Sequence, residues 1–289
     1  MANPGAKLAA NVEGDFFVDA SCIDCGTCRW MAPGVFDRDG EHSRVHAQPD
    51  GEADTRAALM ALLACPTGSI GSLARHPLKA LLNAFPRPID GPVHHCGFHA
   101  ESSFGAAAWV IQRPDGNVMV DCPRFTIPLV RRIEAMGGVA TMVLTHKDDV
   151  ADHRLFARHF GCTRVLHADD VDGHTDDVET RITGRAPTRL ADDLLLIPVP
   201  GHTRGSMCVL HGGRHLFSGD HLAWDIGAGR LTAFRDACWY DWGELAASMR
   251  RLADHTFEWV LPGHGAPCHL PAPRMAAAIR DLLGWLDRG

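Results

Sequence analysis

Apolar positions along this chain come in short blocks separated by turn-forming residues. Past residue 93, the blocks Ala107–Gln112, Asn117–Asp121, Val139–Thr145, Thr163–His167, Leu194–Val199, Ser206–His211, His215–Ser218 and Trp259–Leu261 predict strands. Between them, helical spacing of apolar residues predicts helices at Ile127–Met136, Ala151–Phe160, Trp242–His255 and Arg274–Leu286. Asp115-Gly116 and Gly212-Gly213 each join two blocks and suit tight hairpins, and Gly137-Gly138 suits a helix C-cap. Hairpins followed by alternating strands and helices predict an α/β fold of mixed sheets with helices outside.

The first 75 residues follow another pattern. They hold one helical run, Thr55–Ala64, and a Gly/Asp turn around Asp37, Asp39 and Gly40. The later stretch Phe85-Pro-Arg-Pro-Ile-Asp-Gly-Pro92 opposes regular structure, because proline fixes φ and lacks a donor. The chain therefore reads as a small domain over 1–75, a linker over 76–92 with a short helix near Leu78–Ala84, and a larger domain over 93–289.

Composition narrows the class. A length of 289 residues suits about two domains, and 46% hydrophobic with 22% charged residues is ordinary for packed globular cores. The formal charge of −7 argues against a nucleic-acid surface, and no apolar run reaches membrane-span length, so neither partner is expected. The stretch up to Asp15 holds one Lys and no apolar block, so no secretory signal is expected. The 10 cysteines are unevenly placed, with three between Cys22 and Cys28. That pattern favours a metal site plus buried thiols in a reducing, cytoplasmic setting over a disulfide framework.

The cluster reads Cys22-Ile-Asp-Cys25-Gly-Thr-Cys28, with Cys65-Pro66 far downstream. Two-residue spacers let three thiolates face inward from one loop, Gly26 relieves crowding, and a fourth thiolate closes the shell. A zinc site would more often show two C-x₂-C pairs. The motif resembles a bacterial-type ferredoxin with a single 4Fe–4S cluster. The resemblance implies Cys22, Cys25, Cys28 and Cys65 as ligands and a small α+β ferredoxin-like fold for this part of the chain.

Four further segments each sit at the end of a predicted strand: Thr145-His146-Lys-Asp148-Asp149-Val-Ala-Asp152-His153, Gly201-His202, Gly219-Asp220 and Gly263-His264. Imidazoles and carboxylates at strand ends can converge on a metal, and adjacent glycines let backbone approach it. Each carboxylate at 148–152 alone also suits a helix N-terminus. Taken together, these segments resemble the metallo-β-lactamase superfamily, whose motif reads His-x-His-x-Asp-His, then His, Asp and His.

The resemblance implies an αββα sandwich with a two-metal site. His146, His202 and Asp148 would hold the first ion, Asp152, His153 and His264 the second, with Asp220 bridging. Asp149 could replace Asp148. Asp152 would also orient the nucleophile. Asp148 stands where the motif has its second His, and the Asp-His pair comes two residues late. A carboxylate there shifts preference from zinc toward iron or manganese, and the flavodiiron proteins of the superfamily carry a Glu at that position.

The expected cofactors are therefore a 4Fe–4S cluster and two divalent ions, zinc or iron, with manganese as a third option. The superfamily implies a hydrolase acting on a small-molecule substrate. The attached ferredoxin leaves open a diiron oxidoreductase or a non-catalytic redox sensor, either served by a redox partner protein. Two groups remain. His221, Trp224, Trp239, Tyr240 and Trp242 read as a core cluster before a pocket rim, and His94, His95 and His99 as surface side chains.

Overall fold

The computed structural model describes residues 2–287. Its larger part is two sheets packed face to face with helices on both outer faces. One sheet has seven strands in the order Thr180–Ile182, Thr163–His167, Thr141–Val143, Val118–Val120, Trp109–Ile111, Val93–His95, Arg87–Asp90. The first four run parallel and the rest antiparallel. The second has six strands in the order Thr188–Ala191, Leu194–Pro198, Met207–His211, His215–Gly219, Trp259–Pro262, Cys268–His269. Only the pairing of His215–Gly219 with Trp259–Pro262 is parallel there.

The apolar blocks run unbroken because both faces of each sheet are covered. Successive side chains point to opposite faces, so Trp109, Ile111, Val118 and Val120 meet Leu196 and Phe217 between the sheets. The alternate positions face outward. Ile197, Cys208, Leu210 and Val260 pack under the helices Trp242–Leu252 and Ala272–Leu286. Val110, Met119 and Met142 pack under Ile127–Ala135 and His153–Phe160.

The amino-terminal unit is built from a strand pair, Phe16–Val18 with Ile70–Ser72, a hairpin, Phe36–Asp39 with His42–Val45, and the helices Thr27–Met31 and Gly51–Ala64. It does not hang from a free tether. Its Phe16, Met31 and Leu59 belong to the same buried cluster as Val110, Met119 and Leu129 of the larger part. The stretch expected as a linker is structured. It carries the helix Leu78–Leu81, and Arg87–Asp90 pairs with Val93–His95 as the outer strand of the seven-stranded sheet. Pro88 is tolerated because an edge strand leaves one row of donors unpaired.

The helix starts differ from expectation by a few residues. Gly51–Ala64 begins before Thr55, and His153–Phe160 begins after Ala151. Among the described residues no helix is long and apolar enough to cross a membrane.

Candidate metal centres

The strands Thr141–Val143, Leu194–Pro198, His215–Gly219 and Trp259–Pro262 all end at one rim of the sandwich, and the residues that follow them meet there. His146 Nε2 lies 3.8 Å from Asp149 Oδ2 and 3.8 Å from Asp220 Oδ2. His202 Nε2 lies 3.5 Å from Asp148 Oδ2 and 3.7 Å from Asp220 Oδ2. His264 Nδ1 lies 2.8 Å from Asp220 Oδ2 and 3.9 Å from Asp149 Oδ2. Two overlapping donor sets result, His146–Asp148–His202 and His146–Asp149–Asp220, each with its atoms within 4.8 Å of one another. Asp220 touches all three imidazoles and is the group placed to bridge.

The backbone closes around these groups through glycines. A Cβ on Gly263 would stand 2.5 Å from Asp149 Oδ2 and 2.9 Å from Asp220 Oδ1, and one on Gly219 would stand 2.5 Å from Thr145 Oγ1. Carboxylates at the ends of neighbouring strands brace the loops. Asp121 accepts from Thr145 N at 2.7 Å and from its hydroxyl at 2.9 Å. Asp170 accepts from Lys147 N, Thr203 Oγ1 and Gly205 N, tying the His146 and His202 loops together. Neither was expected from the sequence. The rule used for His146 and Asp220, a polar residue just past an apolar block, would have found both.

The electrostatics call for a cation. His146 Nε2, His202 Nε2 and Asp149 Oδ2 are buried, and no hydrogen-bond partner satisfies them. Buried polar atoms are almost always paired, so three orphans spread over two overlapping donor sets fit metal ions. Burial, reinforced by the charge of Asp220, pushes Asp149 well above the usual carboxylate range. Burial alone would depress His264, yet the charges of Asp220 and Asp149 outweigh it and push the imidazole up to about 10. A proton on His264 thus supplies positive charge that a divalent ion would otherwise bring. Three imidazoles with three carboxylates suit zinc, iron or manganese.

Two expected ligands lie elsewhere. Asp152 Oδ2 accepts from Phe125 N at 2.7 Å. His153 contacts Arg164 Nη1 through Nδ1 and the His174 carbonyl through Nε2. The reason is local: the turn at 148–152, with Ala151 at φ +34°, directs Asp149 inward and leaves Asp152 and His153 at the helix start facing away. Asp149 Oδ2, and neither member of that pair, lies beside His146 and His264, while Asp148 lies beside His202.

At the mouth, Trp239 is 67% exposed with its ring 6.3 Å from that of His202, and Phe104 is 55% exposed with its ring 6.0 Å from that of His264. Tyr240 is exposed as well, whereas Trp224 and Trp242 pack against the outer core and His221 is buried. The expected core cluster is thus divided between core and rim. His95 and His99, expected at the surface, are fully buried.

The four clustered cysteines also converge. Cys22, Cys25, Cys28 and Cys65 line one cavity with Thr27 and Ser43, and none is in a disulfide. Gly26 at φ +79° turns the loop into the helix Thr27–Met31, and Cys65 follows directly on the helix Gly51–Ala64. Ser43 N donates to Cys22 Sγ at 3.4 Å, a bond of the kind that tunes cluster potentials. Four free thiols converging on one cavity fit a cubane cluster.

Comparisons agree with both halves. Residues 18–72 match the model of the 4Fe-4S single cluster domain of ferredoxin I. A hydroxyacylglutathione hydrolase of Xanthomonas campestris pv. campestris is 27% identical over 163 residues, covering 55% of this chain and 58% of that protein. This chain thus spans little more than half the length of that relative. The metallo-β-lactamase DIM-1 superposes with a TM-score of 0.53 at 17% identity, over 70% of this chain and 95% of that one. The BLEG-1 B3 metallo-β-lactamase superposes with a TM-score of 0.51 at 16% identity, over 67% and 99%. The chain joins a ferredoxin-type single-cluster domain to a domain of metallo-β-lactamase fold.

Proposed function

We propose that this chain is a metal-dependent hydrolase in which His146, Asp148 and His202 hold one divalent ion, Asp149 and His264 hold another, and Asp220 is shared between them. The observation that carries the reading is the set of buried, unpartnered donor atoms of His146, His202 and Asp149 around Asp220. When bound, such a pair lowers the pKa of water toward about 7 and polarises an acyl or phosphoryl oxygen.

The chain's own groups do the rest. Asp148, 42% exposed on its side chain, reaches the mouth and can accept a proton as water adds to substrate. Asp121 and Asp170 hold the ligand loops in place through the bonds described above. Trp239 and Phe104 offer apolar walls on the His202 and His264 sides. The hydrolase relative makes a small acyl thioester the first substrate class to try. We place the protein in the cytoplasm, where its thiols stay reduced.

A panel of acyl thioesters and esters, assayed before and after chelation and metal return, tests the reading. Turnover that disappears with the ions and returns with them is expected. Turnover indifferent to chelation in ion-free protein would sink it.

A second reading is favoured by the carboxylate-rich donor set and the attached cluster domain. There the same side chains would hold iron, a redox partner protein would supply electrons through the cluster, and the iron would supply chemistry able to reduce a small molecule. Anaerobic metal content separates the two. About four irons per chain with zinc fits the hydrolase, and about six irons fits the diiron enzyme.

A further inference from the structure

The two centres are joined by one short piece of backbone. The Phe104 carbonyl accepts from His264 Nε2 at 3.3 Å, which leaves Nδ1 to face Asp220 and Asp149. This is the usual arrangement of a ligating histidine, whose second N–H goes to a carbonyl. The next carbonyl, Gly105 O, accepts from Thr27 Oγ1 at 3.3 Å and from His99 Nδ1 at 2.6 Å. Thr27 Oγ1 in turn lies 3.5 Å from Cys25 Sγ. Gly105 itself rests on the cluster loop, for a Cβ there would stand 2.7 Å from Cys25 Cβ and 2.9 Å from its Sγ.

This contact is held at a cost. Phe104 sits at φ +47°, a left-handed conformation worth about 1–2 kcal/mol of strain for a non-glycine residue, and Gly105 at φ +84°. Together these turns aim successive carbonyls at opposite sides, one at each centre. Ala107 N donates to Gly263 O at 2.7 Å, and Ser103 Oγ accepts from Ala151 N, so both ligand loops are pinned to the same segment. The shared core keeps the cysteine-bearing unit from moving away.

We infer that the Phe104–Gly105 peptide is a conduit for single electrons between the cluster, at Cys25, and the two-ion centre, at His264. The inference rests on the reading that ions occupy that centre. The reduced cluster loses one electron and returns to its oxidised form; a ferric ion held by His264 gains it and becomes ferrous. No bond is made or broken, and a low-potential electron-carrier protein replenishes the cluster. Hydrolysis needs no such route, so the conduit gives the chain a redox activity beyond it.

The test uses the full chain with its cluster, loaded anaerobically with ferric iron or with zinc and assayed for metal. The cluster is reduced by a light flash with a deazaflavin donor, and its bleached absorption is followed. Rapid recovery with iron and persistent bleaching with zinc is expected, because zinc takes no electron. Equal bleaching in both, with the second centre full, overturns the conduit and leaves the metal reading standing. A second centre that takes up neither ion sinks both.

Gly105→Ala tests the route itself. Its Cβ forces the segment off Cys25, and slower recovery, with both metals retained, is expected. Unchanged recovery would place the route elsewhere. Should that variant shed its cluster, the unaltered chain decides by paramagnetic resonance. Manganese(II) at the second centre should speed spin relaxation of the reduced cluster well beyond its value with zinc, and equal relaxation refutes the contact.

Discussion

His95 and His99 meet Nε2 to Nε2 at 2.8 Å, both fully buried where the cluster domain seats on the seven-stranded sheet. The Gly105 carbonyl can only accept, so His99 Nδ1 carries the proton and its Nε2 must accept from His95. Both rings are neutral in this arrangement, and His95 Nδ1 is left without a partner.

Acid should therefore weaken the fold. Burial pushes His99 down to about 4 and His95 well below its usual 6.5. Between those limits the unfolded chain binds more protons, so this stability is present above 6.5 and is lost as pH falls toward 4. For His99 alone the loss is on the order of 3 kcal/mol. Urea midpoints at pH 7 and pH 5 check this. His99→Asn keeps a donor to Gly105 and should flatten the profile; an equally steep one would point to other groups.

Asp149 and Asp152 should respond in opposite ways. Asp149→Ala removes a buried carboxyl with an unpaired oxygen, so it should lower metal content yet raise the stability of ion-free protein. Asp152→Ala removes the bond from Phe125 N and should cost about 1 kcal/mol with metal content unchanged. Metal analysis alongside thermal melts of both variants decides; loss of metal in Asp152→Ala would return it to the ligand set.

Gly263→Ala should damage the centre without touching a ligand. Its Cβ falls against Asp149 Oδ2 and Asp220 Oδ1, so both carboxylates must shift. A drop in metal affinity of about 10–100-fold with an unchanged far-ultraviolet spectrum is expected. Competition with a chromogenic chelator measures it.

Cys65→Ser separates the two chemistries. It removes one of the four thiols around the cluster cavity. Thioester turnover should survive in the folded variant, because water activation uses no electrons. Its complete loss, with the two ions still present, would count against a purely hydrolytic role.

Much of this was legible in the apolar blocks. Those at 163–167 and 194–199 match their strands closely, and Leu194–Pro198 is apolar throughout, as a strand covered on both faces favours. The four cysteines stood out by their spacing, and the His202, Asp220 and His264 segments because glycine and strand ends frame them. The inward turn of Asp149 was not legible. It depends on the path of a loop with Ala151 at positive φ, and adjacent aspartates look alike in a sequence. Short edge strands such as Arg87–Asp90 also escaped, since their polar residues and prolines resemble those of a linker.

The common core has a practical side. Phe98, buried against Phe85, and His95, packed on Trp30 at 5.0 Å between ring centres, would face water in a chain begun at residue 93. Re-exposing Phe98 alone forfeits about 1.5–3 kcal/mol. Truncation at that seam should give sticky, poorly folded material, so the β-lactamase-like half is best purified with its iron–sulfur neighbour attached.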